Sequence, residues 1–112
     1  MPVFYHNPRC SKSRQALALL QEQGQQPQVI DYLKTPPSAE ELAIIVKKLG
    51  RPAQDIVRLK EAREAGFDPA ELNEAALLAK LAAHPAAIER PIFVNGKRAA
   101  LGRPPEDVLK IL

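Results

Sequence analysis

The sequence predicts an α/β fold with a mixed four-stranded sheet, a β-α-β unit and a β-β-α unit separated by a helical insertion. Three observations predict it. A β-favouring run, Val3-Phe4-Tyr5, gives way at once to helical apolar spacing. Ser38-Ala39-Glu40-Glu41 carries the Ser-x-x-Glu pattern that opens a helix. Two further β-favouring runs flank Asn95-Gly96, a dipeptide suited to the positive φ angles of a tight hairpin.

Ala16, Leu17 and Leu20 recur at the interval of one buried helix face, and the first helix is expected to end near Gly24. Residues 28–33 form a second β-favouring run, and a β-α-β unit sets its two strands parallel through a right-handed crossover. Thr35-Pro36-Pro37 stops that strand. Beyond Ser38, the residues Leu42, Ile45, Val46 and Leu49 mark a buried stripe that closes at Gly50. Residues 55–64 and 73–84 read as two more helices, the second stopped by Pro85. Residues 91–94 and 97–101 form the hairpin, and Pro104 suits the first turn of a final helix whose buried stripe is Val108, Leu109 and Leu112. With the middle helices set aside, β-α-β plus β-β-α is thioredoxin-like connectivity. The expectation is one domain over residues 1–112 with its helical insertion over about 38–85.

The chain has 112 residues and is 46% hydrophobic, enough for one core. Sixteen basic and thirteen acidic residues leave a net charge of +3, which suits small anions but is too weak and dispersed to argue for nucleic acid. Aromatic residues, at 4%, leave few stacking platforms for bases. A single cysteine excludes an internal disulfide framework and a multi-thiolate metal centre, so no metal is expected and a reducing, cytoplasmic setting fits. Met1-Pro2 leads directly into the first strand without a basic segment and long apolar run, so no membrane association is expected.

That cysteine, Cys10, stands where the first strand passes through a tight loop into the first helix. Unpaired N–H groups of the opening helical turn and the helix dipole favour thiolate over thiol there. A lone cysteine can be a small buried apolar residue, but Arg9, Lys12 and Arg14 surround this one with charge. Cys10 is therefore the candidate nucleophile. His6 either tunes it or donates a loop hydrogen bond. Ser13 occupies the second-cysteine position of a Cys-x-x-Cys motif. A Cys-x5-Arg phosphatase loop would need arginine at the position held by Ala16. His84, before Pro85, reads as a helix-end residue.

Four motifs in order, Tyr5-His6-Asn7-Pro8-Arg9-Cys10, Tyr32-Leu33-Lys34-Thr35-Pro36-Pro37, Glu89-Arg90-Pro91-Ile92 and Gly102-Arg103-Pro104-Pro105, resemble the glutaredoxin-coupled arsenate reductases over nearly the whole chain. The loop Cys10-Ser11-Lys12-Ser13-Arg14 and the end at Leu112 look more like a housekeeping branch of that family than its resistance-operon members. The resemblance implies Cys10 as catalytic thiol and Arg58, Arg90 and Arg103 as oxyanion-binding arginines, with Lys60 and Arg63 as basic alternatives to Arg58. His6, Ser13 and Arg14 are the supporting candidates beside Cys10, and the resemblance implies Pro91 as the cis-proline facing the thiol. It also implies a monomer with no bound cofactor, arsenate as substrate, glutathione as co-substrate and glutaredoxin as partner.

Guanidinium forks bind the oxygens of a tetrahedral oxyanion through paired charge-assisted hydrogen bonds, and the N–H groups of Ser11 to Arg14 can add an anion nest. Reduction of arsenate needs two electrons from two thiols, so the second thiol must come from outside this chain. Two other functions fit parts of the pattern. One is a regulatory module resembling the Spx-type proteins that bind RNA polymerase, whose Cys-x-x-Cys switch Ser13 removes. The other is a monothiol oxidoreductase acting on glutathione mixed disulfides, for which Cys10 with Ser13 suffices.

Overall fold

The computed structural model describes residues 2–112; Met1, the first residue of the expected domain, lies outside them. The chain forms two compact units, one from Met1–Thr35 with Arg90–Leu112 and one from Pro36–Glu89.

The first unit carries strands β1 (Val3–His6), β2 (Gln28–Asp31), β3 (Ile92–Asn95) and β4 (Arg98–Leu101), with helix α1 (Ser11–Glu22) between the first two. The sheet order is β2-β1-β3-β4. β1 runs parallel to β2, with His6 opposite Asp31, and antiparallel to β3, with Phe4 opposite Phe93. This is the expected mixed sheet with β1 inside it. Alternation along β1 sends Phe4 and His6 to one face. Phe4 and Phe93 meet Ala16 and Leu20 of α1 there, together with Val108 and Ile111 from the chain end. α1 buries Ser13, Ala16 and Leu20, an i, i+3, i+7 stripe whose first member is polar.

β2 ends earlier than residue 33, because Asp31 turns the chain. Its Oδ1 accepts from the Leu33 N–H at 3.2 Å and its carbonyl from the Lys34 N–H at 3.0 Å. The hairpin lies one residue later than Asn95-Gly96 suggests. Asn95 pairs with Arg98, so Gly96 and Lys97 form the turn, and Gly96 takes φ +62° at the position where a type II′ turn uses glycine. Asn95 acts elsewhere: its side-chain amide donates to the Ile111 carbonyl at 2.8 Å. The last element is a 3-10 helix, Pro105–Ile111, with Pro104 as its N-cap. Three residues per turn align Pro105, Val108 and Ile111 on the buried face, whereas Leu112, expected in that stripe, is exposed.

The second unit contains α2 (Ala39–Leu49), α3 (Leu59–Glu64) and α4 (Glu74–Ala83). The capping box is closed in both directions: Glu41 N–H donates to Ser38 Oγ and Ser38 N–H to Glu41 Oε1, each at 3.1 Å. Gly50 ends α2 at φ +68°. Leu42, Ile45 and Val46 of α2 and Leu77, Leu78 and Leu81 of α4 are buried. Asn73 caps α4, accepting the Ala76 N–H at 2.8 Å. The helix expected over 55–64 is interrupted. A 3-10 turn, Ala53–Ile56, is followed by extended Val57 and Arg58 before α3 begins. The competing interaction is a bridge between Val57 and Ile88, flanked by hydrogen bonds from Arg58 N–H to Ala87 O at 2.8 Å and Glu89 N–H to Ile56 O at 2.7 Å. Among the described residues, no helix is long and apolar enough to cross a membrane.

Ser38→Ala opens the capping box and leaves the Glu41 N–H without its acceptor. Unfolding free energy should fall by about 1 kcal/mol, as read from the midpoint of urea denaturation.

Candidate active site

The central strand β1 delivers the chain to a short loop, Asn7-Pro8-Arg9, which a set of local bonds holds in place. Cys10 N–H donates to Asn7 O at 3.0 Å, Arg9 N–H to Asn7 Oδ1 at 3.0 Å, and the Arg14 guanidinium to Pro8 O at 2.8 Å. Cys10 is the N-cap of α1, in extended conformation, and its carbonyl accepts the Arg14 N–H at 3.0 Å. The expected strand, loop and helix start therefore place the sulfur over the opening turn of the helix.

Behind the sulfur lies a small polar network at the upper edge of the core. Ser13 is fully buried; its Oγ lies 2.6 Å from His6 Nδ1 and accepts the Asn7 N–H at 3.1 Å. Burial pushes the His6 imidazole below its ordinary value, with Asp31 opposing and Arg14 assisting that shift. His6 is therefore neutral near pH 7. Ser13 thus ties the end of β1 to the first turn of α1, a role that its place in a Cys-x-x-Ser spacing does not announce.

Arg90 and Arg103 reach the site because the chain enters β3 and leaves β4 at the same end of the sheet where β1 finishes. The register puts Ile92 beside both Tyr5 and Leu101. Arg103 Nε donates to the Arg90 carbonyl at 2.9 Å, and its terminal nitrogen lies 3.9 Å from Cys10 Sγ. The Arg90 guanidinium also acts on this sulfur, lowering the pKa of its thiol. Partial burial pushes the Cys10 thiol up. The Ser13 N–H, the Arg90 guanidinium and the Lys12 N–H together outweigh it, and the thiol lies below its ordinary value. The helix N–H groups act on the sulfur without forming a closed side-chain cap.

Pro91 is buried and follows a cis peptide bond, as does Pro104 after Arg103. Gly102 N–H donates to the Pro91 carbonyl at 2.9 Å. A Cβ on Gly102 would stand 2.5 Å from Pro91 Cγ and 3.3 Å from the Ala16 methyl, so only glycine fits between the proline and α1. Gly102 and Asn7 are structural members of the site whose contribution sequence reasoning passed over. Asn7 had a signal, since Asn before Pro favours a turn closed by its own side chain; Gly102 had only its place beside Arg103.

Arg58 belongs to the second unit, as N-cap of α3. Its Nε pairs with Glu61 at 3.1 Å and a terminal nitrogen with Glu89 at 3.0 Å. Burial lowers its pKa, but those two carboxylates more than offset this and hold the guanidinium above its ordinary value. His84 caps the end of α4 and stacks obliquely with Phe67, ring centroids 5.8 Å apart. Among the described residues, no group of three or more His, Cys, Asp or Glu side chains is placed to hold a metal ion.

Two pH effects follow from these environments. Alkylation of Cys10 by iodoacetamide should show a midpoint below the ordinary thiol value, and Arg90→Ala should move that midpoint upward in the rate-against-pH profile. Because the His6 value is lowered on folding, the unfolded chain binds the extra proton. This contribution to stability is full above the ordinary value of 6.5 and is lost as pH falls through the folded value. The melting temperature of His6→Gln should consequently decline less than that of the wild type between about pH 7 and about pH 5.

Comparison with known proteins bears on this arrangement. The ArsC family matches residues 5–111. The arsenate reductase of Neisseria meningitidis serogroup A is 47% identical over 112 residues, covering 97% of this chain and 96% of that protein. The arsenate reductase of Haemophilus influenzae is 45% identical over 113 residues, with coverage of 98% and 97%. Among solved structures, the arsenate reductase from Vibrio cholerae superposes with a TM-score of 0.93 at 50% identity, covering 99% of this chain and 97% of that one. On the family match and these full-length similarities, the chain belongs to the ArsC family.

Proposed function

We propose that this chain is an arsenate reductase in which Cys10 attacks the bound oxyanion and external thiols complete the reduction. The observation that carries this function is the convergence of two guanidinium groups, Arg90 and Arg103, on one acidified sulfur at a helix N-terminus. Arsenate sits against Arg90 and Arg103, and the N–H groups of the opening helical turn face its remaining oxygens. Arg58 joins this set on the strength of the family resemblance, with Glu61 and Glu89 as its partners in the second unit.

The Cys10 thiolate bonds to arsenic, and one arsenate oxygen takes up protons and leaves as water, giving a thiol-arsenate adduct with arsenic still pentavalent. A glutathione thiolate then attacks the Cys10 sulfur. An S–S bond forms, the S–As bond breaks with its electron pair passing to arsenic, and trivalent arsenite departs. A second thiol, from glutathione or glutaredoxin, attacks the mixed disulfide and returns Cys10 to the thiolate. The net reaction oxidises two thiols to one disulfide as arsenate becomes arsenite and water. A single cysteine and the proposed use of a glutathione pool favour a cytoplasmic setting for the enzyme.

The test is arsenate-dependent oxidation of NADPH coupled through glutathione reductase, glutaredoxin and glutathione. Wild type should turn over and Cys10→Ser should not, whereas Arg90→Ala and Arg103→Ala should each lose about 10²-fold or more in kcat/KM. Absence of arsenate turnover in wild type, with Cys10-dependent deglutathionylation of a model peptide, would replace this function with that of a monothiol oxidoreductase.

A further inference from the structure

Helix α1 begins without the devices that ordinarily hold a helix start. Cys10 is its N-cap but forms no side-chain cap, and no acidic residue stands in the first turn. Lys12 and Arg14 occupy the opening four residues instead, cations at the positive end of the helix dipole. A hydroxyl or carboxylate cap would occupy the N–H groups that act on the sulfur, and a carboxylate would also repel a thiolate and its anion. The start of α1 is left open for chemistry and is held by other means.

Arg14 supplies them. Its backbone N–H donates to the Cys10 carbonyl at 3.0 Å and its guanidinium to the Pro8 carbonyl at 2.8 Å. One residue thereby grips the chain on both sides of Arg9 and spans the turn that carries the sulfur. Within that grip, Cys10 N–H donates to Asn7 O and Arg9 N–H to Asn7 Oδ1, each at 3.0 Å. Arg14 is exposed and belongs to no ion pair among the described residues, so no carboxylate there competes for its guanidinium. The groups brought to the sulfur are the Ser13 and Lys12 N–H groups, Arg90 and Arg103, whereas the charge of Arg14 is felt by His6.

We infer that Arg14 is a positioning residue for the reaction at Cys10: its guanidinium, tied to the Pro8 carbonyl, is an external cap that fixes the loop and leaves the helix N–H groups open to the sulfur and its anion. The identity of that anion rests on the reductase function proposed above; the clamp rests on the hydrogen bonds alone. A charge-assisted bond suits an exposed loop, where a neutral one competes poorly with water. A displacement of about 1 Å at a reacting atom can cost about 10²-fold in rate, so a loose turn slows attack while the anion-binding arginines stay in place.

Arg14→Met keeps an unbranched stem and removes both the donor and the charge. Amide hydrogen exchange followed by NMR should show the Cys10 N–H exchanging about tenfold faster or more than in wild type, with buried Leu20 of α1 at its wild-type rate. Exchange is catalysed by hydroxide, which a cation attracts, so loss of charge alone would slow the Cys10 N–H. A slower or unchanged rate at Cys10 therefore overturns the clamp, and equal acceleration at Leu20 overturns it in favour of a general loss of stability. In the coupled arsenate assay, kcat should fall about tenfold or more with KM for arsenate at its wild-type value. A raised KM with unchanged kcat would make Arg14 an anion ligand and overturn the positioning role. If wild type fails to reduce arsenate, the reductase function falls, while hydrogen exchange still decides whether Arg14 holds the loop.

Discussion

A single sulfur atom, held where a central strand turns into a helix, sets the terms for the rest of the structure. Withdrawal from water resists the negative charge that its chemistry needs, and that resistance is the largest influence on the Cys10 thiol. The helix start opposes it with the N–H groups of Ser13 and Lys12, and the far end of the chain with the Arg90 guanidinium. The helix start is local in sequence, whereas the arginine depends on the sheet. β3 must pair antiparallel with β1 for Arg90 to arrive beside the loop that follows β1.

The same strand end has to be rigid, because an electropositive pocket stabilises charge only if its donors need not reorganise. A buried serine supplies part of this rigidity. Ser13 satisfies the Asn7 N–H and bonds His6 Nδ1, so a polar group that would be costly in the core becomes the tie between strand and helix. Gly102 works by the absence of a side chain: Pro91 and α1 close over the space a methyl group would occupy. Arg103 follows directly, so its guanidinium takes its position from packing made one residue earlier.

What could be read from the residues divides along local and distant lines. The capping box at Ser38 and Glu41 and the stop at Gly50 are governed by neighbours within four residues, and both are present. The reactive setting of Cys10 is of the same kind, since the helix start and the adjoining bonds lie in one short segment. The break before α3 was not legible, because Val57 and Arg58 are drawn out of helix by Ile88 and Ala87, some thirty residues on. The hairpin shifted by one residue because Asn95 is used as a side-chain donor to Ile111, not as a turn residue. The terminal stripe shifted from Leu112 to Ile111 because that segment winds at three residues per turn, a choice its apolar spacing does not disclose. Arg90 and Arg103 were reachable through motif resemblance, but their meeting at the sulfur rests on strand order.

Because the first unit is built from both ends of the chain, the acidity of Cys10 is tied to the order in which the protein is made. The segment up to Thr35 carries the strand, the loop and the helix start, but neither of the arginines that reach the sulfur. During synthesis the helical segment follows, and only the last stretch, from Arg90 onward, brings in β3, β4 and the guanidinium groups. A nascent chain on the ribosome therefore bears a cysteine without its arginine partners, less prone to stray oxidation or metalation. The full acidity of Cys10 needs the stretch from Arg90 onward to have joined the first segment, so a product that stops short of Arg90 lacks the arginine share of it.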